Sequence, residues 1–209
     1  MDGDFSMKRL VKLGILALAA VALTYGAGLI RDQQALENNL VRLHVVANSD
    51  SQEDQAVKLQ VRDKVVSLLE STMDQLPDAQ AAQAFLREKL PEIEAAANQV
   101  LEETGSKLKA VVSLAKEAFP TRDYDTFSLP AGVYNSLRVT IGEGQGHNWW
   151  CVLFPSLCIP ASSDGFEEAA QVSGMSDTLS QTLTQAGTGY EIRFRLLDWL
   201  GSLRGAMAP

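Results

Sequence analysis

The residues of this chain whose types could do chemistry are few: two cysteines, two histidines and 26 acidic side chains among 209 residues. Cys151 and Cys158 are separated by Val-Leu-Phe-Pro-Ser-Leu, in which Pro155 helps turn the chain back. A cysteine nucleophile needs a base that holds it as thiolate. His147 is near Cys151 in sequence but follows a glycine turn, and His44 lies on a distant apolar stretch. No third group orients such a dyad, so the chain reads as a non-enzyme, with an exported cysteine hydrolase using Cys151 as the rival reading. Zinc is disfavoured, because Cys-x6-Cys is not a standard ligand spacing and only two histidines exist; no metal and no cofactor are implied. The cysteines read as a disulfide in an oxidising compartment, or as two buried thiols.

Three further groupings have two readings each. Asp50, Glu53 and Asp54 gather at a helix start, where the helix dipole favours acids, and their hard oxygens also suit calcium. The run Gly142-x-Gly144-x-Gly146 resembles a phosphate cradle, but such a loop must open a helix. Here Asn148-Trp149-Trp150 opens a strand, so the run reads as a hairpin-length connector. Neighbouring residues on a strand point to opposite faces, so Trp149 and Trp150 divide between the two sides, as core or as interface anchors.

The compartment of all these groups is set by the uncharged run Leu13 to Ile30, LGILALAAVALTYGAGLI, which follows Lys8, Arg9 and Lys12. Its 18 residues fall within the range of about 17–25 for a membrane-spanning helix. A helix is the form in which one isolated span satisfies its own backbone in lipid. The basic cluster keeps the N-terminus inside and sends the rest out. A secretory signal peptide has the same order of features, and Ala20-Val21-Ala22 and Gly26-Ala27-Gly28 offer small residues for cleavage. Residues 1–30 are therefore expected to be a signal peptide or membrane anchor, and 31–209 an exported domain. After the run, 15 basic and 24 acidic residues remain, a net charge near −9. Such a surface excludes nucleic acid as a partner and adheres poorly to anionic lipid.

Leu40 to Ala47 is a strand candidate with Val41, Leu43, Val45 and Ala47 on one face and Arg42 and His44 on the other. A helix follows, capped by Ser51 with Asp54 three residues on, its apolar line Val57, Val61, Val65 and Leu68. Lys58, Arg62, Asp63 and Lys64 are expected in solvent. That helix ends near Asp74. Asp78–Leu90 and Pro91–Thr104 read as two helices broken or restarted at Pro91, with Gly105 as a stop. Alternation predicts strands within Lys107–Phe119, over Leu137–Ile141, over Trp149–Leu153 and over Glu191–Leu197, with a weak helix around Asp177–Gln185 in an otherwise loose stretch. The order predicts an α+β domain: a largely antiparallel sheet with packed helices, preceded by one N-terminal transmembrane or signal helix.

Three blocks carry a family resemblance. Arg42 to Ser51 (RLHVVANSDS), with Glu53-Asp54-Gln55-Ala56 and Lys58-Leu59-x-Val61-Arg62-Asp63, is the first. Leu129-Pro130-Ala131-Gly132-x-Tyr134-x-x-Leu137-Arg138-Val139 is the second, and Ile141 to Cys158, with Asn148-Trp149-Trp150-Cys151 inside it, the third. Together they resemble stage II sporulation protein R of endospore-forming bacteria. Where that family has two prolines before Leu-Cys, this chain has Pro155-Ser156. The resemblance implies a signal made in the forespore and exported toward the mother cell, into the space between two membranes. It also implies a partner, a membrane-embedded aspartic protease that matures a mother-cell sigma factor. The expected contact residues are Arg42 and His44 on the strand, Asn48 and Asp50 in the turn, and Asn148, Trp149 and Trp150 before Cys151.

Overall fold

The computed structural model describes residues 3–124, 127–155, 177–184 and 191–207. One unbroken helix, α1 (Gly3–Asn39), leads into β1 (Val41–Val46). There follow α2 (Gln52–Met73), α3 (Ala79–Glu103), β2 (Ala110–Phe119), the short β3 (Arg122–Asp123) and β4 (Ser128–Leu129), β5 (Gly132–Ile141) and β6 (Asn148–Phe154). Two helices close the described chain, α4 (Asp177–Thr184) and α5 (Glu191–Met207).

The main sheet has the order β2-β5-β1-β6, and β3 and β4 form a separate ribbon. β1 runs parallel to β5, while β1–β6 and β2–β5 are antiparallel. Mixed helices around a mostly antiparallel sheet, behind an apolar N-terminal helix, agree with the class expected from sequence.

Strand alternation builds two cores. Val41, Leu43 and Val45 join Ala110, Val112, Leu137, Val139, Ile141, Cys151 and Leu153 under α2 and α3. On the opposite face Phe119, Tyr134 and Val152 meet Leu29, Leu36 and Leu40 of the α1 end, Leu179 and Leu183 of α4, and Phe194 and Leu197 of α5. The last turns of α1 are bolted down as well as packed. Buried Glu37 meets Arg204 at 3.0 Å and accepts from Gln33 Nε2 at 3.2 Å, and Gln33 also donates to the Ala131 carbonyl. The expected boundary at Ile30 thus lies inside α1, which passes from the apolar run into the domain core.

Four expectations are corrected. Pro91 does not interrupt: α3 is one helix of 25 residues, capped by Asp78, whose side chain accepts from Ala81 N. Pro91 faces solvent, so the Arg87 carbonyl it leaves without an amide partner lies on the wet side of the helix. Glu191–Leu197 is helical, not a strand. The buried positions are Phe194, Leu197 and Gly201, a three-to-four spacing that outweighs the two-residue alternation of Ile192, Phe194 and Leu196. Gly142–His147 is no hairpin, because β1 lies between the strands it joins. Lys58 is buried rather than solvated. The expected strands in Lys107–Phe119, Leu137–Ile141 and Trp149–Leu153 form, with β5 starting five residues earlier at Gly132. The helix expected around Asp177–Gln185 is α4; the rest of the loose stretch, like Cys158, lies outside the described residues.

Candidate functional site

The β5–β6 connection arches over the exit of β1 and is stitched to it. Gln145 N and Gly146 N donate to the carbonyls of Asn48 and Ala47 at 3.1 and 2.9 Å. Glu143 N donates to Asn48 Oδ1 at 3.0 Å, and His147 N to Asp50 Oδ1 at 2.6 Å. The glycines permit this approach. A Cβ on Gly146 would lie 2.2 Å from the Ser49 carbonyl oxygen, and one on Gly142 2.3 Å from Asn48 Oδ1, where φ is also +58°.

A second layer of bonds anchors the same loop from α2. Ser51 accepts from Asp54 N at 3.1 Å, the cap expected from sequence. The reciprocal half of a capping box is absent among these contacts. Asp54 instead accepts from Asn48 Nδ2 at 2.9 Å and Ser49 Oγ at 2.5 Å, while Ser51 N donates to Ser49 Oγ. The Ser49 and Asn48 bonds hold the Asp54 carboxyl below its ordinary range. Gln55 Nε2 donates to the Ser49 carbonyl at 2.9 Å, and Lys58 Nζ to the His147 carbonyl at 3.0 Å and Gln55 Oε1 at 2.6 Å. Burial pushes the Lys58 amine down. Asp50 is exposed and is lowered first by the His147 backbone amide, then by the His147 ring. Capping and loop-tying therefore account for Asp50 and Asp54 without a ligand. Among the described residues no cluster of three His, Cys, Asp or Glu is disposed to hold a metal.

Beside this knot, the ends of the strands on the α1/α5 side carry a polar ladder. His44 lies opposite Arg138 of β5 on one side and Trp150 of β6 on the other. Its Nδ1 is 3.2 Å from Glu117 Oε2 and its Nε2 3.0 Å from Asn148 Oδ1. Glu117 also accepts from Arg138 Nη1 at 2.8 Å. Burial pushes the Glu117 carboxyl up, but the bonds to His44 and Arg138, with the Ser136 hydroxyl nearby, prevail and bring it to about 2. Trp150 is 5.6 Å from the His44 ring and is covered by the Arg122 guanidinium at 3.8 Å.

The structure thus brings His44, Asn148 and Trp150 together on one face, with Asn48 and Asp50 at its rim. Trp149 points to the other side, under the Arg62 guanidinium at 4.2 Å. Arg42 is fully buried, its guanidinium 4.1 Å from the Phe119 ring centre and donating to Tyr124 OH at 2.8 Å, with no hydrogen-bond partner for Nε and Nη1 among the described residues. It reaches the surface only through the aromatic groups it holds. Cys151 lies opposite Leu43 under α2, so the sheet itself separates it from the His44 ring.

Sequence reasoning did not assign Glu117, Arg138, Gln55 or Lys58 to the site, although the last three lie in the blocks that carry the family resemblance. For Glu117 the signal is a charge on the polar face of its strand; which charge meets which depends on a register that local sequence does not state.

A family model described as stage II sporulation protein R matches residues 37–164, which includes both the knot and the ladder. Stage II sporulation protein R of Bacillus subtilis (strain 168) is 31% identical over 185 residues, covering 80% of this chain and 83% of that protein. No solved structure matches the chain.

Proposed function

Because this chain belongs to the stage II sporulation protein R family, we propose that it is the exported messenger of a sporulation pathway. In this reading it activates a membrane-embedded aspartic protease by contact, and that protease matures a mother-cell sigma factor from its precursor. Made in the forespore, the domain is delivered by α1 into the space between the facing membranes. It acts by shape and surface polarity, not by turning over a substrate.

One observation carries the reading: two segments of the family match, Arg42–Asp54 and Gly142–Trp150, are separated by 87 residues yet are clamped into one continuous face. The contact residues in this reading are His44, Asn48, Asp50, Asn148 and Trp150, with Arg42 and Trp149 supporting from beneath and behind. A Cys151–Cys158 disulfide would pin the end of β6 in the oxidising exterior and remove the thiol that the rival hydrolase needs.

The test is to add the purified exported domain to membranes that carry the protease and its precursor substrate. Cleavage is expected to depend on the domain. A domain that binds no membrane and stimulates no cleavage sinks the proposal, and cleavage of a substrate by the domain alone favours the hydrolase.

A further inference from the structure

The helix α1 is long and apolar enough to cross a membrane over part of its length, and it does not end where the apolar run ends. Leu29, in the last apolar turn, is already buried in the second core, and Gln33 and Glu37 hold the domain one and two turns later. No linker lies between span and domain, so the depth of any domain residue relative to the bilayer is fixed by its level along α1.

That level is readable for α5. Gly201 sits against the end of the Gln33 side chain, 2.9 Å from where its Cβ would be. At about 1.5 Å of rise per residue, Gln33 is roughly 4.5 Å beyond Ile30, and Trp199 is within about 3 Å of the Gly201 level in either direction. Gly201 meets the far end of the Gln33 side chain, so Trp199 is placed to within a side-chain length of that level, in the region of the headgroup layer that adds about 5–8 Å to each side of the hydrocarbon. Its ring is 58% exposed, an unusual state for tryptophan in a water-facing domain. Aromatic side chains of mixed polarity concentrate at this depth.

We propose that the domain rests directly on the membrane in which α1 is embedded, with Trp199 of α5 seated among the lipid headgroups. The inference rests on the reading that α1 crosses the membrane, and adds that it stays attached and sets the domain's posture. The occupant of the Trp199 surface is the bilayer, since the same helix that inserts into it carries this surface to it. With a net charge near −9 on the domain, the contact is aromatic and needs no anionic lipid.

The full chain is reconstituted in neutral phosphatidylcholine–phosphatidylethanolamine vesicles, and tryptophan fluorescence is compared between the natural chain and Trp199→Phe. The difference isolates Trp199 without touching Trp149 or Trp150. Lipid brominated near the headgroup end of its chains is expected to lower that difference signal about twofold, and lipid brominated near the chain ends to leave it almost unchanged. A chain that floats with the vesicles but shows no quenching of the Trp199 signal overturns this inference alone. If the signal is then also shielded from an aqueous quencher, the surface belongs to a second protein copy, which overturns it equally. A chain that does not float with the vesicles overturns the anchor reading and this inference with it.

Discussion

Glu117 shows how a single carboxylate is kept ionised where burial alone would neutralise it. Its bonds to His44 and Arg138, with the Ser136 hydroxyl nearby, outweigh its desolvation and leave it at about 2 instead of the ordinary 4.5. A depressed carboxyl gives stability that is present above its unfolded value and is lost as pH falls through the folded one. The window here is therefore pH 4.5 down to about 2. After allowance for its partial exposure, the contribution is on the order of 1–2 kcal/mol. Glu117→Gln is expected to flatten the acid limb of a denaturation midpoint-versus-pH curve over that interval; a variant with the same acid limb as the parent contradicts this. Gly146 makes a second residue-scale prediction. Gly146→Ala drives a methyl into the Ser49 carbonyl, and is expected to cost about 2–3 kcal/mol in chemical denaturation. An unchanged midpoint would show that the loop can back away from β1.

At the scale of elements, two helices make opposite predictions. Pro91→Ala restores a backbone bond and removes a ring clash inside α3, so it should stabilise by on the order of 1–3 kcal/mol in thermal unfolding. A loss of stability would mean that the proline's bend is needed for α3 to follow the sheet. In α5, a Cβ on Gly201 would sit 1.5 Å from the Ala131 carbonyl oxygen. Gly201→Ala is therefore expected to push α5 off the sheet, raising hydrogen exchange along Phe194–Arg204 while α2 and α3 stay protected. Uniform exchange across both layers would refute it. These same elements show what sequence could tell. β1 and α2 were legible because Val41–Val46 and Val57–Leu69 repeat at clean periods and Ser51 marks the boundary between them. α5 was not, because Ile192, Phe194 and Leu196 satisfy a strand pattern locally. The competing three-to-four spacing gains its meaning from distant groups: Gly201 lies against the Ala131 carbonyl, and Thr121 and the Ala131 amide donate to the Asp198 carboxylate. Half of the candidate site was legible in the same sense. His44, Asn48, Asp50 and Asn148 sit in distinctive blocks, whereas Glu117 and Arg138 become partners only through the pairing of β2 with β5.

At the scale of the whole molecule, α1 has two roles divided near Leu29. Its exposed first part is long and apolar enough to cross a membrane, and its last turns complete the second core. Leu29, Leu36 and Leu40, at about 1.5–3 kcal/mol each for full burial, are worth as much as the net stability of many small domains. A chain starting at Leu29 is expected to fold cooperatively. One starting at Leu40 should bind hydrophobic dye and aggregate, because Phe119, Tyr134 and Leu197 lose their cover. Comparable unfolding transitions for the two truncations would show that α1 contributes only an anchor.

The central position of β1 has a consequence for manufacture. Its neighbours arrive late: Val41 pairs with Asn135 on one side and with Phe154 on the other. In a polypeptide threaded through a translocation pore in order from its N-terminus, β1 emerges before its partners, and Val41 waits 94 residues for one flank and 113 for the other. The sheet therefore cannot close behind the pore until Phe154 has passed. Under the export proposed above, late closure would keep the chain slack during passage and shut the structure only once its central pairing segments are on the far side.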